Sequence, residues 1–178
     1  MAPPLELTSV PPWTVAPLCP PADLTGRQWT VLAIGADAGR VAADWTAQIA
    51  VHRPDADPRM HLVDDAEAAC RALRDDLADA VVGWRLLLAG PAHACLRVRA
   101  EAIELGAADD EITVASTEVA TREIYCAHCR TVTTALVELS GTVPCAGCRR
   151  ELFVYYHVSR RLGLHLGFVS GAHYRGTS

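Results

Sequence analysis

The sequence predicts an α/β protein in two parts: a mostly parallel sheet with helices, and then a small β domain that holds a metal. Three observations predict this. Strand-like and helix-like stretches alternate between residues 28 and 120. The helical period then stops, and two C-x2-C motifs follow. The charge also changes, because residues 1–120 hold 9 Arg and 18 Asp plus Glu, a net of −9, whereas residues 121–178 hold 7 Arg and 3 Glu, a net of +4. We therefore place a domain boundary near residue 120.

The composition excludes several classes of protein. With 178 residues, of which 51% are apolar, the chain can build a core. No run of about 18 apolar residues predicts a membrane span, and the N-terminus lacks the pattern of a secretion signal. We therefore expect a cytoplasmic protein whose seven cysteines stay reduced, so that paired cysteines indicate a metal rather than a disulfide. Cys70 and Cys95 lie in helical patterns and are predicted to be small core residues.

Residues 1–27 contain seven prolines and no steady periodicity. Proline fixes φ and lacks an N–H donor, so this segment is predicted to be an extended arm rather than a helix or a central strand. The sequence leaves open whether the arm is disordered or lies along a partner.

Residues 28–120 are predicted to form an abbreviated Rossmann-like domain. Apolar residues at helical spacing indicate three helices between short apolar strands. Asp64 is the predicted cap of the second helix, with Glu67 completing a capping box, and Gly106 is predicted to end the third. The predicted strands are Gln28–Ile34, Met60–Val63, Trp84–Leu88 and Glu111–Ala115.

The turn after the first strand could bind the phosphates of a nucleotide. Gly35 and Gly39 lie between a strand and a helix, where a pyrophosphate would meet the helix N-terminus. Asp37 and Arg40, however, stand where a dinucleotide-binding turn needs its second and third glycines. A plain strand–helix turn is the alternative. Together with Gly90, these glycines are predicted to be a vestigial cofactor site that does not bind NADPH.

Residues 121–178 are predicted to form a zinc-ribbon, or rubredoxin-like, β domain. Cys126, Cys129, Cys145 and Cys148 have the spacing of one tetrahedral thiolate site. Four thiolates leave no open position for water or substrate, so we expect a structural zinc and no catalytic residues in this chain. Iron is the alternative metal, which would make the domain an electron carrier.

Arg130 and Arg149 follow the two motifs at positions where rubredoxins usually carry glycine, which favours zinc over iron. His128 is predicted to be exposed between two cysteines. His157 and His165 are predicted to be ordinary surface or packed histidines.

Arginines near aromatic residues in the last 30 positions could instead indicate a nucleic-acid surface. The acidic first domain and the absence of lysine argue against it, and a protein partner with an acidic face fits as well. The residues concerned are Arg149, Arg150, Arg160 and Arg161, with Phe153, Tyr155 and Tyr156.

Two stretches resemble known families. The series Trp29–Gly39, His61–Val63, Leu86–Pro91, Val98–Gly106 and Glu111–Val114 resembles the nicotinamide-binding half of ferredoxin reductases, with Ala89 in place of the cysteine of a Cys-Gly-Pro motif. The motifs Tyr125–Cys129 and Val143–Cys148, followed by Tyr156–Ser159 and Gly167–Phe168, resemble the dimethylamine monooxygenase small-subunit (DmmA-like) family.

The second resemblance implies an accessory subunit of a bacterial amine monooxygenase. It implies two partner subunits, a haem-bearing catalytic subunit and a reductase subunit with FMN and a 2Fe-2S cluster. It also implies that the complex uses NADPH and O2 to convert dimethylamine to methylamine and formaldehyde. The metal-binding domain would then serve assembly and docking. We expect no membrane partner, and nucleic acid is the disfavoured partner.

Overall fold

The computed structural model describes residues 3–169, which divide into two compact units. The α/β unit consists of Pro12–Val119 with Arg161–Gly163. The cysteine unit consists of Ala120–Arg160 with the described parts of Met1–Pro11 and Leu164–Ser178. The predicted α/β class with a parallel sheet is confirmed. No helix within residues 3–169 is long and apolar enough to cross a membrane.

The α/β unit contains a four-stranded parallel sheet. Its strand order is β2-β1-β3-β4, and successive strands are joined by helices. Strand β2 lies on one side of β1, and β3 and β4 lie on the other. The direction of the connections therefore reverses between β1 and β3. The elements are β1 (Gln28–Ile34), α1 (Ala38–His52), β2 (Arg59–Val63), α2 (Ala66–Leu77), β3 (Trp84–Pro91), α3 (Ala92–Glu104) and β4 (Ile112–Glu118).

The two central strands, β1 and β3, are buried along most of their length because both faces of the sheet are covered there. Alternate residues of β1, including Trp29 and Val31, form one core with Trp45 and Ile49 of α1. Helices α2 and α3 pack against each other and against the strands. The four-residue spacing of Trp45 and Ile49 therefore predicted the buried stripe of α1 correctly.

Helix α2 carries a buried carboxylate. Asp76 is 4% exposed and accepts hydrogen bonds from the Thr30 hydroxyl at 2.7 Å and from His61 Nε2 at 3.0 Å. Trp84 Nε1 donates to the same hydroxyl at 3.0 Å. These donors offset the cost of removing a charge from water.

The capping prediction for α2 was wrong by one residue. The N-cap is Asp65, whose carboxylate accepts from the backbone N–H of Ala68 at 2.8 Å, and not Asp64. Asp65 has the extended backbone that an N-cap needs, and its side chain reaches the third N–H of the helix.

The proline-rich segment contributes residues to both units. In the α/β unit, Trp29 Nε1 donates to the carbonyl of Asp23 at 2.7 Å, and Trp45 Nε1 donates to that of Pro20 at 2.9 Å. In the cysteine unit, the backbone N–H of Val158 donates to Ser9 Oγ at 3.0 Å. Two short 3-10 turns, Leu5–Leu7 and Pro12–Thr14, interrupt the predicted extended course. Within the described residues, the arm is thus held by separate hydrogen bonds and is not part of a strand ladder.

The cysteine unit is a five-stranded sheet with the order β6-β5-β9-β8-β7. The strands β5–β6, β7–β8 and β8–β9 pair antiparallel, whereas β5 and β9 pair parallel. Its core contains Ile124, Leu152 and Val154 together with two of the cysteines. The strands are β5 (Thr121–Cys126), β6 (Val132–Leu136), β7 (Thr142–Pro144), β8 (Glu151–Ser159) and β9 (Leu164–Val169).

Gly90 is a glycine that packing requires. It has φ +156, and a Cβ there would lie 2.9 Å from Ile34 Cβ and 3.1 Å from the Ile34 carbonyl oxygen. A Cβ added at Gly39, in the first turn of α1, would have nothing within 4 Å. These two glycines therefore differ in what an added methyl group would do.

We expect Gly90→Ala to lower the free energy of unfolding of the α/β unit by about 1–3 kcal/mol, because strand β1 would have to move. Gly39→Ala should raise it by roughly 0.5–1 kcal/mol, since alanine favours helix and meets open space. Denaturant unfolding followed by tryptophan fluorescence measures both, because all four tryptophans lie at positions 13–84. Equal effects of the two substitutions would contradict this reading.

Candidate metal centre

Each C-x2-C motif occupies the turn of a β-hairpin. Cys126 ends β5, and Cys129 lies in the turn that leads to β6. Cys145 follows β7, and Cys148 lies in the turn that leads to β8. The backbone N–H of Arg130 bonds the carbonyl of Cys126 at 2.8 Å in the first turn, and that of Arg149 bonds the carbonyl of Cys145 at 3.0 Å in the second. The two turns are therefore built alike.

The four sulfur atoms converge. All lie within 4.8 Å of one another, with 3.9 Å between Cys126 and Cys148 and 3.4 Å between Cys129 and Cys145. A tetrahedral ion with metal–sulfur bonds of about 2.3 Å requires separations of roughly 3.8 Å, so this donor set fits such an ion. The four cysteines are free thiols rather than disulfides. The predicted convergence is observed, while the bound metal itself stays a prediction.

Hydrogen bonds to sulfur already favour negative charge at two of the cysteines. The side chain and backbone of Thr131 donate to Cys129 and lower its pKa to about 5. The backbone N–H groups of Cys148 and Gly147 lower the pKa of Cys145. These groups would also hold the thiolates once a cation is bound.

Cys148 behaves differently. The backbone N–H of Arg150 lowers its pKa, but burial and the neighbouring cysteine sulfurs outweigh this and raise the pKa to about 11. Four adjacent sulfurs cannot all carry charge unless a cation compensates them. Binding of a divalent cation should therefore displace the remaining protons, which makes metal affinity depend on pH.

Arg130 and Arg149 adopt the left-handed backbone conformation, with φ of 65° and 63°. Glycine reaches this region without strain, whereas a residue with a Cβ loses about 1–2 kcal/mol. Both arginines thus take the conformation that glycine would take, and backbone N–H groups still reach the sulfurs. The sequence argument that arginine at these positions disfavours iron therefore loses its physical basis.

Three residues that support the site, Thr131, Thr133 and Gly147, could not be recognised from the motif alone. A Cβ on Gly147 would lie 2.4 Å from Thr131 Oγ1 and 3.2 Å from Cys129 Sγ, so one turn packs its bare backbone against the other. Thr133 Oγ1 accepts from the backbone N–H of Ala146 at 3.0 Å. The only sequence signal was the presence of a glycine and β-branched threonines beside the cysteines.

The three histidines near the motif lie as predicted for ordinary residues. His128 and His157 are exposed. His165 is 1% exposed and lies opposite Ile124 on β9. An Arg122 guanidinium nitrogen lies 3.2 Å from His165 Nε2. Because a guanidinium only donates, Nε2 is the acceptor and Nδ1 carries the proton. Burial, and then the charge of Arg122, lower the pKa of His165 to about 3.

The predicted vestigial cofactor glycines lie at the carboxyl ends of the parallel strands. Gly35 follows β1 and Gly90 lies in β3, next to the point where the chain switches direction. A Cβ added at Gly90 would meet Ile34, as described above, whereas a Cβ added at Gly35 or Gly39 would meet open space. A cavity of about 270 Å³ lies at the opposite end of β1, lined by Arg27, Trp29, His52 and Arg53 among others. Nucleotide binding at the glycines stays a prediction.

Comparisons with known proteins locate the family in the cysteine unit. Residues 123–168, which include all four cysteines, match the model described as "Dimethylamine monooxygenase subunit DmmA-like, C-terminal domain". A curated relative is the heme-dependent oxidative N-demethylase delta subunit of Ectopseudomonas mendocina (strain ymp), which is 37% identical over 100 residues. That alignment spans 56% of this chain and 56% of the relative. No solved structure matches.

Residues 123–168 are therefore similar to a DmmA-like C-terminal domain. The resemblance to the DmmA-like family that the cysteine motifs predicted is confirmed. The relative is named as one subunit of a haem-dependent demethylase.

We expect Gly147→Ala to weaken metal retention by roughly 10–100-fold, the range seen when groups supporting metal ligands are disturbed. The added methyl group would separate the two turns that carry the cysteines. Competition with a chromophoric chelator measures the affinity. Ala146→Ser, at the exposed neighbouring position, is the control and should retain the metal. Unchanged affinity in Gly147→Ala would show that the turns tolerate separation.

Acid should destabilise the cysteine unit through His165. In the unfolded chain this histidine binds a proton below about pH 6.5, whereas in the folded chain it stays neutral down to about pH 3. The unfolded state therefore binds more protons in that window, and stability falls by about 1.4 kcal/mol per pH unit as the pH decreases.

His165→Gln keeps an acceptor for Arg122 but cannot titrate. Between pH 6.5 and 5, we expect the unmodified chain to lose about 2 kcal/mol more than this variant. Urea unfolding followed by tyrosine fluorescence measures the difference. Any loss of stability from metal release affects both proteins and therefore cancels in the comparison. Parallel acid sensitivity in the two proteins would exclude His165 as the cause.

Proposed function

We propose that this chain is a non-catalytic subunit of a multi-subunit, haem-dependent oxidative N-demethylase. The observation that carries the proposal is the closed set of four thiolates inside residues 123–168, the region that matches the DmmA-like domain. A site with four protein ligands has no position left for water, substrate or O2. The similarity to a delta subunit supports the class of enzyme, an oxidative N-demethylase. The closed site supports a non-catalytic role for this chain.

In this proposal, the partners are a haem-bearing catalytic subunit and a reductase subunit that carries FMN and a 2Fe-2S cluster. Dimethylamine is the substrate, and NADPH supplies the electrons. The oxidation takes place on the partners, and this chain contributes to assembly and docking. Gly35, Gly39 and Gly90 are remnants of a nucleotide-binding turn and bind no cofactor.

The metal we propose for Cys126, Cys129, Cys145 and Cys148 is zinc. It would supply no redox or hydrolytic chemistry. Its role would be to hold the two hairpins together, because Cys126 and Cys145 are themselves core residues of the small cysteine unit. Structural zinc contributes apparent binding free energies of about 10–16 kcal/mol to such folds.

A second candidate function is electron transfer with iron at the same cysteines. The left-handed conformation of Arg130 and Arg149, together with the N–H groups directed at the sulfurs, gives both turns a geometry that an iron centre also uses. In that case this chain would pass electrons between the reductase and haem subunits.

The purified chain should be colourless and contain about one zinc, because four thiolates form one tetrahedral site. Cys145→Ser should release the metal, unfold the cysteine unit and detach the chain from the co-expressed haem-bearing and reductase subunits. Metal analysis, tyrosine fluorescence and size-exclusion chromatography measure these three effects. Cys19→Ser is the matched control, since Cys19 is exposed and lies outside the cluster.

A strongly coloured, iron-loaded chain would favour the electron-transfer function instead. Oxidation of dimethylamine with NADPH by the isolated chain would overturn the non-catalytic role. A full complex that assembles without the metal would remove the docking role of the centre.

A further inference from the structure

We propose that the open face of the cysteine-unit sheet is the surface that docks another subunit, through an aromatic cluster and the arginines beside the metal centre. The partner surface would be an apolar patch with an acidic rim. This inference rests on the proposed function, because it assumes a multi-subunit enzyme. It adds which face is used, which residues carry it and what chemistry the partner presents.

The aromatic cluster consists of Phe153, Tyr155 and Phe168. Leu152 and Val154 of β8 are fully buried, so the alternation of the strand places Phe153 on the opposite face of the sheet. Phe168 of β9 is the cross-strand partner of Phe153. The ring centroid of Tyr155 lies 6.1 Å from that of Phe153 and 6.2 Å from that of Phe168. The three rings therefore form one contiguous group.

This cluster is open to solvent. Tyr155 is 50% exposed and Phe168 is 45% exposed. Single exposed apolar residues are normal on a soluble protein, whereas a contiguous aromatic group marks an interaction site. Aromatic residues are also the typical anchors of protein interfaces, since they bury a large area at a low cost in conformational entropy.

The face continues across the sheet. Tyr125 of β5 lies opposite Leu166 of β9, and Val132 of β6 lies opposite Tyr125. Val132 is 37% exposed, and Tyr125 and Leu166 are partly exposed. A partner could thus contact apolar side chains on four neighbouring strands.

The charges come from Arg130, Arg149 and Arg150. All three are exposed, and within residues 3–169 their guanidiniums have no hydrogen bond or ion pair. Arg150 directly precedes β8, the strand that carries Phe153 and Tyr155. Two of the three sit at left-handed positions that glycine would occupy without strain. The turns that hold the cysteines account for this backbone conformation, and the exposed guanidiniums remain available for a partner.

The charge balance selects the partner. The exposed Arg130, Arg149 and Arg150 place positive charge beside the metal centre, so an acidic surface is attracted and steered towards this end of the unit. Nucleic acid fits less well, because Glu151 stands between Arg150 and Phe153 and the whole chain carries −5. An acidic rim around an apolar patch on another protein satisfies both the arginines and the aromatic rings.

The test uses the full chain and, as the probe, the remaining subunits of the demethylase from the same organism, co-expressed and purified without this chain. Binding kinetics are recorded at several salt concentrations. Tyr155→Ser with Phe168→Ser should raise Kd by at least about 30-fold, mainly through faster dissociation. Arg149→Gln with Arg150→Gln should lower the association rate by about tenfold at low salt and flatten its salt dependence.

Two controls match these variants. Val51→Ser changes an apolar residue that is 85% exposed on α1, and Arg40→Gln with Arg53→Gln removes two exposed charges from the α/β unit. Both should bind the subunits as the unmodified chain does. Metal content and unfolding midpoint are measured for every variant, so that a lost fold is distinguished from a lost contact.

The outcomes separate the two proposals. If the unmodified chain does not bind the other subunits, the proposed function fails and this inference fails with it. If it binds, but the aromatic and arginine variants bind equally well, the docking face is wrong while the proposed function stands. Self-association that the aromatic variants abolish, or tighter binding to a 20-base-pair DNA duplex than to the subunits, would also overturn the docking face.

Discussion

The convergence of four thiolates is the constraint on which the cysteine unit depends. Cys126 and Cys145 are both candidate ligands and buried core residues, beside Ile124, Leu152 and Val154. The unit has few other large buried side chains, so ligation and core packing cannot be separated. A small domain that lacks a sizeable apolar core would gain much of its stability from a metal bound by these sulfurs. The sheet that presents the aromatic cluster is therefore rigid only as far as the two hairpin turns stay together.

The α/β unit is stabilised in a different way. Its central strands are buried on both faces, and the buried carboxylate of Asp76 is hydrogen-bonded to Thr30 and His61. Nothing in this arrangement requires a cofactor. In a nucleotide fold, a glycine at the position of Gly90 would let a ligand approach the backbone. Here the space beside Gly90 is taken by Ile34. The unit has the strand order β2-β1-β3-β4, and one of the candidate glycines serves packing.

Sequence periodicity predicted much of this fold, because burial dictates where apolar residues recur. The stripe of Trp45 and Ile49 and the alternation of Leu152 and Val154 are direct consequences of which face is covered. Features that depend on contacts distant in sequence were not predictable. The contact of Gly147 with Thr131 arises only when two hairpins meet, and the burial of His165 follows from its register opposite Ile124. The cap at Asp65 rather than Asp64 shows the same limit at short range, since either carboxylate suits the motif and only the backbone angles decide.

The arginines after each cysteine pair connect these observations. From sequence alone they argue for zinc, because rubredoxins usually carry glycine at these positions. Their left-handed backbone removes that argument, and at the same time gives them a different significance. Their backbone N–H groups close the two turns that hold the cysteines, so the left-handed conformation serves the candidate metal centre. Their guanidiniums are exposed and take no part in those turns. The identity of the metal and the role of the arginine side chains are therefore separate questions.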